Sequence, residues 1–430
     1  MTNFKTSEGH LFNTKHFIIY LFKWTICAVI IGIPIGCASA LFLYLLEQAT
    51  TLRNLHPSLL YLLPLGGLFV GLLYHYYGGR ANKGNNLLIE EYYAPTNVIP
   101  FKMAPLVLLG TIITHLFGGS AGREGTAVQM GGAIADQLSR LIKLTTTERK
   151  TLLLMGISAG FASVFGTPLA GILFAFELMH FRKVHYSVLF PSILVAFIAN
   201  ATCSFWGIVH SHYIVSLIPS INFLLLLKIG IAGILFGLTA WLFIKTTEHI
   251  AIISSTYLTY PPIKPFIGAI IFILAITIIG DYQYLGLGLP TLSDAFIHSQ
   301  GGEVFILKLL LTALTLGVGF KGGEVTPLFF IGATLGSFLA PYFNLEISFL
   351  AALGFIGVFA GATKTPIACI VMGLELFGVA LFPYLTIAVL LAYLTSGART
   401  IYSAQKTTRF HSYINHIKNN TFTSQKKQIK

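Results

Sequence analysis

Residues 118–132 read GGSAGREGTAVQMGG and combine a glycine-rich backbone with two adjacent charges, Arg123 and Glu124. Glycines let the backbone leave helical geometry and direct N–H groups at a ligand, and a helix that begins near Thr126 would add its positive end. These features suit a small anion. The alternative is a glycine-rich packing seam between helices, with Arg123 and Glu124 paired at an interface.

The composition of the chain is that of a membrane protein. Of its 430 residues, 55% are hydrophobic and only 10% are charged, which leaves too little polar surface for a soluble globule. Apolar runs that suit a bilayer recur, and several segments are interrupted by Gly or Pro, as in transporters whose half-helices meet at a substrate site. The runs occupy residues 17–46, 187–206, 224–244 and 266–279. Because burying a charged carboxylate at membrane depth costs free energy, Glu124 is a candidate functional residue.

The net charge of +12 arises mostly from the ends of the chain and from short loops. By the positive-inside rule, both termini are then predicted to be cytoplasmic. We expect the lipid bilayer to be the surroundings of this chain and expect no nucleic-acid partner. Cysteines stand among apolar residues without metal-ligand spacing, so we expect neither a metal nor a cofactor. They are Cys27, Cys37, Cys203 and Cys369.

Two motifs recur in the second half of the chain. At an offset of 200 the pattern GxExT repeats, and at an offset of 198 the motif around Thr167-Pro168 repeats with a later Glu-Leu pair. Such internal symmetry indicates a transporter fold of two repeats with the site at their interface. In that geometry Glu124, Glu324 and Thr326 are expected to converge on one small cavity. A carboxylate there competes with an anion when charged and makes way for it when protonated.

Two further polar features have open interpretations. Residues 78–91, GGRANKGNNLLIEE, are either a solvent loop that Asn86 caps into a helix, or a mouth where Lys83, Asn85 and Asn86 offer donors to an anion. Glu177 is most simply an interfacial residue that pairs with Arg182 or Lys183. Lys321 is one possible partner for Glu324.

Four segments resemble the CLC chloride channel and transporter family: GREGTAVQMGG, GTPLAGILFAFEL, GGEVTPLFFIGA and the late TIYSAQ. The resemblance implies an all-α polytopic membrane protein with the CLC fold, two inverted-topology repeats, re-entrant half-helices and a homodimer with one pore per subunit. It implies a cytoplasmic segment over 1–17, a transmembrane domain over 18–404 with repeats at about 18–205 and 222–404, and a basic cytoplasmic tail over 405–430. It matches Glu124 to the gating glutamate, and Tyr402 to the tyrosine that closes the pore toward the cytoplasm.

Four departures from the common family pattern resemble its bacterial fluoride/proton antiporter branch. The first anion motif reads NKGNN from Asn82, GREGP becomes GREGT, the second-half loop reads GEVTP, and Leu178 stands where chloride exchangers carry an inner glutamate. The resemblance implies a secondary transporter of the bacterial inner membrane, not an enzyme, that exports fluoride in exchange for protons. Glu324 and Thr326 would handle fluoride and couple the proton. The implied anion-binding residues are Lys83, Gly84, Asn85, Gly125, Thr126, Gly323, Val325, Thr326 and Tyr402.

Two other hypotheses compete with this one. A chloride/proton exchanger or voltage-gated-type chloride channel of the same fold is a close alternative, and chloride flux would support it. An intramembrane hydrolase is a different class, because residues 156–160 match GxSxG around Ser158, with His115 or His180 as a base. That motif lacks the strand-turn-helix context and an evident Asp.

Overall fold

The computed structural model describes residues 14–180, 186–211 and 213–406 of the chain. These residues are helical almost throughout, with a single isolated backbone bridge. The α-helices in chain order are α1 Thr14–Leu55, α2 Leu63–Leu73, α3 Asn85–Tyr93, α4 Met103–Leu116, α5 Glu124–Asp136, α6 Leu138–Leu141, α7 Thr146–Phe165, α8 Pro168–Leu178, α9 Leu189–Phe205, α10 Phe223–Tyr257, α11 Ile263–Ile279, α12 Leu289–Asp294, α13 Gly302–Gly317, α14 Val325–Phe343, α15 Ile347–Thr363, α16 Pro366–Phe377 and α17 Phe382–Thr395.

Five helical segments of the described chain are long and apolar enough to cross a membrane. They are Lys15–Leu55, Pro57–Tyr93, Tyr186–Phe205, Phe223–Tyr257 and Val325–Phe343. The apolar runs predicted from the sequence fall in α1, α9, α10 and α11, although α11 has only 17 residues. The apolar helices α4, α8 and α16 have only 11 to 14 residues and are too short to span a bilayer alone, so they must pack inside a larger helical body.

Helices of the two halves pack in equivalent pairs. In the first half α5 packs on α7 and α7 on α9, and in the second half α14 packs on α15 and α15 on α17. Paired glycines make the closest approaches, because a Cβ at Gly131 would collide with the carbonyl of Gly156, and a Cβ at Gly332 with that of Gly354. Small residues at such crossings let helix backbones approach closely. The repeated packing agrees with the internal repeat found in the sequence.

The centre of the molecule lies around α5 and α15. Every residue of α15 from Ser348 to Thr363 is buried, and almost all of α5 is buried as well. A helix that is buried on all sides occupies the core and not the surface. The N-terminus of α5, which carries the glycine-rich stretch, therefore lies deep inside the protein.

Two carboxylates join the halves reciprocally. Glu177, near the end of α8, accepts a hydrogen bond from Ala368 N at the start of α16 at 2.7 Å, and Glu375, near the end of α16, accepts one from Ala170 N at the start of α8 at 2.8 Å. Each glutamate satisfies N–H groups that the first helical turn leaves unpaired. Glu177 is thus engaged with the other half of the chain. Its predicted partners, Arg182 and Lys183, lie outside the described residues.

Candidate functional site

The loops that precede α5 and α14 meet through a two-stranded backbone contact. Gly122 N donates to Gly323 O at 2.6 Å, and Gly323 N donates to Gly122 O at 2.7 Å. A Cβ at Gly323 would lie only 2.8 Å from Gly125 N, so glycine is required for this approach. The contact brings the N-termini of α5 and α14 together, and helix N-termini present N–H groups and partial positive charge to an anion.

Glu124 occupies this position with its own carboxylate. Its side chain is fully buried and accepts hydrogen bonds from Thr326 N at 3.1 Å, from Arg123 N at 3.1 Å and from the Thr326 hydroxyl. The Arg123 Nε atom lies 3.6 Å from the carboxylate and makes no hydrogen bond. Backbone N–H groups at two helix ends therefore bind the glutamate as they would bind a free anion.

Helix α5 begins at Glu124, two residues before the predicted start at Thr126. The earlier start places the carboxylate in the first helical turn. Thr126 lies inside the helix, where its hydroxyl and that of Thr111 on α4 are 2.6 Å apart. The buried Thr126 side chain thus joins α4 to α5 in this conformation.

Glu324 stands just before α14, at the position equivalent to Glu124, and has different surroundings. Its Oε2 atom is buried and has no hydrogen-bond partner, and the same is true of Oδ1 of Asn85 at the start of α3. A Cβ on Gly125 would lie 3.1 Å from Asn85 Nδ2 and 3.5 Å from Glu324 Oε2. Because buried polar atoms are nearly always hydrogen-bonded, this small polar space beside Gly125 suits a bound ligand or a proton on Glu324.

Cavities lie on both sides of Glu124. On one side, Glu124 and Thr326 line a cavity of about 30 Å³. That cavity shares Arg123 and Ser211 with a larger one of about 550 Å³, which also contains Arg53 and is called here the Arg53 vestibule. The side chain of Glu124 and the N-terminal loops therefore separate this vestibule from the opposite half of the site.

On the other side, two cavities of about 140 Å³ and about 560 Å³ are both lined by Glu324 and the buried Tyr402, and are called here the Tyr402 cavities. Neither is lined by Glu124. The predicted convergence of Glu124, Glu324 and Thr326 on one cavity is therefore wrong in part. Thr326 and Glu124 share the small cavity, and Glu324 lines the cavities on the other side.

The mouth of the smaller Tyr402 cavity includes Lys83, Gly84 and Asn85. Lys83 pairs with Glu90 at 2.5 Å, and its side chain is 53% exposed, so it lies at the rim. Asn85 is buried and follows Gly84, whose φ of 56° suits glycine. The predicted cap by Asn86 is wrong, because Gly84 occupies the N-cap position and the Asn86 side chain accepts from Ala404 N at 2.9 Å.

Lys321, which the sequence suggested as a partner for Glu324, has a different contact. The Lys321 ammonium lies 4.1 Å from the centroid of the Tyr74 ring and lines the smaller Tyr402 cavity. Among the ion pairs of the described residues, none joins Lys321 to Glu324, which was one predicted arrangement. The adjacency of Lys321 to the motif was a signal, but its contact with Tyr74 was not visible in the sequence.

The hydrolase hypothesis finds no geometric support. Ser158 lies in the middle of α7, where the backbone is helical, and its hydroxyl is buried without a partner. Both ring nitrogens of His115 face carbonyl oxygens, at 2.8 Å from Thr111 and 3.0 Å from Ala121. His115 therefore ties α4 to the loop before Glu124, and the sharp turn of a nucleophile elbow is absent at Ser158.

Comparison with known proteins agrees with this geometry. A family model described as voltage gated chloride channel matches residues 66–397. The chain is 44% identical over 393 residues to a chloride/fluoride channel protein of Pseudomonas syringae pv. tomato, across 90% of this chain and 87% of that protein.

Solved structures show the same similarity. A CLC-type fluoride/proton antiporter superposes with a TM-score of 0.87 and 36% identity, over 90% of this chain and 98% of that one. A slow cyanobacterial Cl−/H+ antiporter superposes with a TM-score of 0.77 and 20% identity, over 88% and 96% of the two chains, and shows the fold alone. The predicted family and fold are confirmed: this chain is a multi-pass membrane protein with the CLC fold and belongs to the CLC family of ion channels and transporters.

Proposed function

We propose that this protein is a secondary transporter that moves fluoride out of the cytoplasm in exchange for protons. The observation that carries the proposal is the pairing of two unlike carboxylates, one bound at the meeting helix ends and one with an unpartnered oxygen in the adjacent space. The similarity to a CLC-type fluoride/proton antiporter over 90% of the chain supports it.

Glu124 is the proposed gate and proton carrier. When charged, its carboxylate holds the N–H groups of Thr326 and Arg123 and so occupies the place of the anion. Protonation removes the charge that makes these hydrogen bonds strong, and the carboxyl can then leave the site. A fluoride ion that takes its place gains the same two N–H donors and the Thr326 hydroxyl. Anion entry and proton transfer are thereby linked through one side chain.

Glu324 is the proposed second proton site, next to the anion path. A charged Glu324 would repel fluoride, whereas a neutral carboxyl can donate a hydrogen bond to it. Fluoride is a small, hard anion and benefits most from a strong donor in a narrow dry space. The Asn85 amide beside Gly125 adds a second donor from α3. We propose that Gly323 and Val325 form the backbone of this same part of the path.

The orientation follows from the charge distribution of the chain. We propose that the Tyr402 cavities face the cytoplasm, that both termini lie there, and that the Arg53 vestibule faces the outside of a bacterial inner membrane. Basic residues near both ends of the sequence support this orientation. The division into repeats over 18–205 and 222–404 and the assembly into a homodimer are part of the same proposal.

Chloride exchange or a chloride channel is the second candidate, because the relative from Pseudomonas syringae is named for both ions. The acidic Glu324 favours fluoride. A larger, softer anion gains less from a single strong hydrogen-bond donor.

The two candidates are separated by efflux from proteoliposomes loaded with both fluoride and chloride. Two selective electrodes record the anions, and an external pH electrode records protons. Fluoride efflux with proton uptake and little chloride loss is the expected result. Equal or dominant chloride loss would reject fluoride selectivity, and anion efflux without proton uptake would make the protein a channel.

A further inference from the structure

Arg149, in the first turn of α7, is the centre of a buried network of charges. Its Nε atom donates to Asp136 Oδ1 and its Nη2 atom to Asp136 Oδ2, both at 2.8 Å. Its Nη1 atom lies 3.1 Å from Glu91 Oε2, and Nη2 also donates to Asn97 O at 2.8 Å. Glu91 and Asp136 are only 2% and 0% exposed. A bidentate contact of this kind fixes the orientation of the guanidinium as well as its position.

The two carboxylates belong to helices that begin at the candidate site. Glu91 lies in the last turn of α3, and Asp136 is the last residue of α5. Asn85 and Glu124 are the first residues of the same two helices. Arg149 therefore joins α3 to α5 at the ends opposite to the site.

Helices α3 and α5 also contact each other between these ends. A Cβ at Gly132 of α5 would lie 2.6 Å from Leu88 Cδ2 of α3, and a Cβ at Gly125 would lie 3.1 Å from Asn85 Nδ2. Helix α3 has only 9 residues, a length at which an isolated helix is not stable by itself. Its position therefore depends on the neighbours that hold it.

The chain that follows α3 is attached to the same end of α5. Ile99 N donates to Asp136 Oδ2 at 2.8 Å, and Gln137 Nε2 donates to Ile99 O at 2.8 Å. Thr96 N donates to Glu91 Oε2 at 2.9 Å. Both carboxylates thus contact the guanidinium and also accept backbone N–H groups of residues 96–99. The end of α5 and one arginine of α7 together hold α3 and the segment after it.

We infer that Arg149 is a positioning residue that sets where Asn85 stands relative to the start of α5. Arg149 lines neither the Arg53 vestibule nor the Tyr402 cavities, so it acts through α3 and α5 and not by contact with an ion. Because Asn85 is a proposed donor to the transported anion, the inference rests on the proposed function. Its expected effect is on the KM for fluoride.

Arg149→Lys breaks the bidentate contact and keeps a positive charge beside the buried carboxylates. An ammonium on a flexible stem cannot bind both oxygens of Asp136 and still hold Glu91 in one fixed geometry, so we expect the fluoride KM to rise about fivefold. Asp136→Asn breaks the same contact from the α5 side, with a similar expected rise. Efflux from proteoliposomes over a fluoride concentration series measures KM and the saturated rate. A loss of folded protein lowers the saturated rate and leaves KM unchanged, so KM separates positioning from a purely structural role.

Lys23→Met is the matched control. Lys23 of α1 pairs with Glu148, the residue before Arg149 in α7, so this ion pair lies at the start of the same helix but joins it to α1. Both side chains are partly exposed, at 36% and 28%, and such pairs contribute little free energy. We expect the KM of Lys23→Met to stay within about 1.5-fold of wild type.

A double-mutant cycle with Asn85→Ala tests the route of the effect. Asn85→Ala removes one donor to a charged ligand and is expected to raise KM about tenfold. If Arg149 acts by placing Asn85, the double variant stays near about tenfold and does not reach about fiftyfold. The same cycle with Asp136→Asn decides the matter if Arg149→Lys does not fold.

Four outcomes would overturn the inference: additive effects in the cycle, a wild-type KM in Arg149→Lys, an equal rise in Lys23→Met, or a wild-type KM in Asn85→Ala. Failure of the proposed function gives a different pattern. If wild type moves chloride and not fluoride, the fluoride proposal fails, and the same cycle read on the chloride KM decides the role of Arg149. If wild type exchanges fluoride for protons and the cycle is additive, only the role of Arg149 fails.

Discussion

Glu124 begins α5 and Glu324 immediately precedes α14, at equivalent positions of the GxExT pattern in the two halves. The backbones around them are paired symmetrically through Gly122 and Gly323. The side chains differ, because Glu124 receives three hydrogen bonds and Glu324 keeps an unbonded oxygen beside a cavity. The backbone is thus symmetric around the two glutamates. The hydrogen bonds of their carboxylates are not.

The cause of the asymmetry lies in the preceding helices. In the first half, Thr111 of α4 engages Thr126 at 2.6 Å. At the same offset of 200 in α13 the residue is Leu311, which has no hydroxyl to offer. The Thr326 hydroxyl therefore has no such partner on α13 and hydrogen-bonds Glu124. Thr126 joins two helices, and Thr326 donates to Glu124, the proposed gate.

The largest expected effect is at the bound carboxylate. Glu124→Gln keeps the size of the side chain but cannot carry a proton between the two sides, so we expect proton uptake per fluoride to fall by at least about twentyfold. Simultaneous pH and fluoride electrode traces measure the ratio. Glu90→Gln, which alters an exposed carboxylate paired with Lys83, is the control and should leave the ratio unchanged. Stoichiometric exchange by Glu124→Gln would refute the gate assignment.

The second-largest effect is expected at Glu324, whose carboxylate has an unbonded oxygen. Glu324→Gln removes a titratable proton but no hydrogen bond to Oε2, so we expect fluoride efflux to fall about tenfold while the thermal midpoint stays within about 2 °C of wild type. Efflux assays and thermal denaturation in detergent measure the two quantities. Undiminished efflux would remove Glu324 from the mechanism. A large loss of stability would show that its carboxyl supports the fold and not the ion path.

Thr326 and Thr126, at equivalent positions of the GxExT pattern, are expected to affect different quantities. Thr326→Val removes a donor at the gate, and we expect the fluoride KM to rise about fivefold, the loss of roughly 1 kcal/mol of hydrogen bonding. Thr126→Val removes the bond to Thr111 and is expected to lower the free energy of unfolding by about 1 kcal/mol with little change in KM. Concentration series of efflux and thermal denaturation compare them. Equal effects of the two variants on KM would contradict the proposed division of roles.

The sequence predicted the family, the repeat and the two glutamates because these depend on motifs whose residues are adjacent in the chain. It did not distinguish Thr126 from Thr326, because their roles depend on what a neighbouring helix presents at one position. The sequence suggested a Lys321–Glu324 pair and could not anticipate the contact of Lys321 with Tyr74, which depends on the missing side chain of Gly110. Helix α3 begins after Gly84, whose φ is 56°. The preference of Asn for N-cap positions had indicated Asn86 and did not predict this start.

The smallest expected effect on transport is at Glu177 and Glu375, where the two halves of the chain have equivalent contacts. Glu177 and Glu375 each cap the first turn of the other's helix, with hydrogen bonds of 2.7 to 3.1 Å in both directions. Each glutamate accepts one N–H on each of its two oxygens, whereas glutamine keeps one oxygen, turns an NH2 group toward the second N–H and lacks the charge that favours a helix N-terminus. Glu177→Gln and Glu375→Gln should therefore each lower the free energy of unfolding by about 1 kcal/mol without changing coupling or KM. Thermal denaturation of both single variants and of the double variant measures this. A loss of proton coupling in one variant alone would mean that one of these glutamates takes part in transport and that the other has only a structural role.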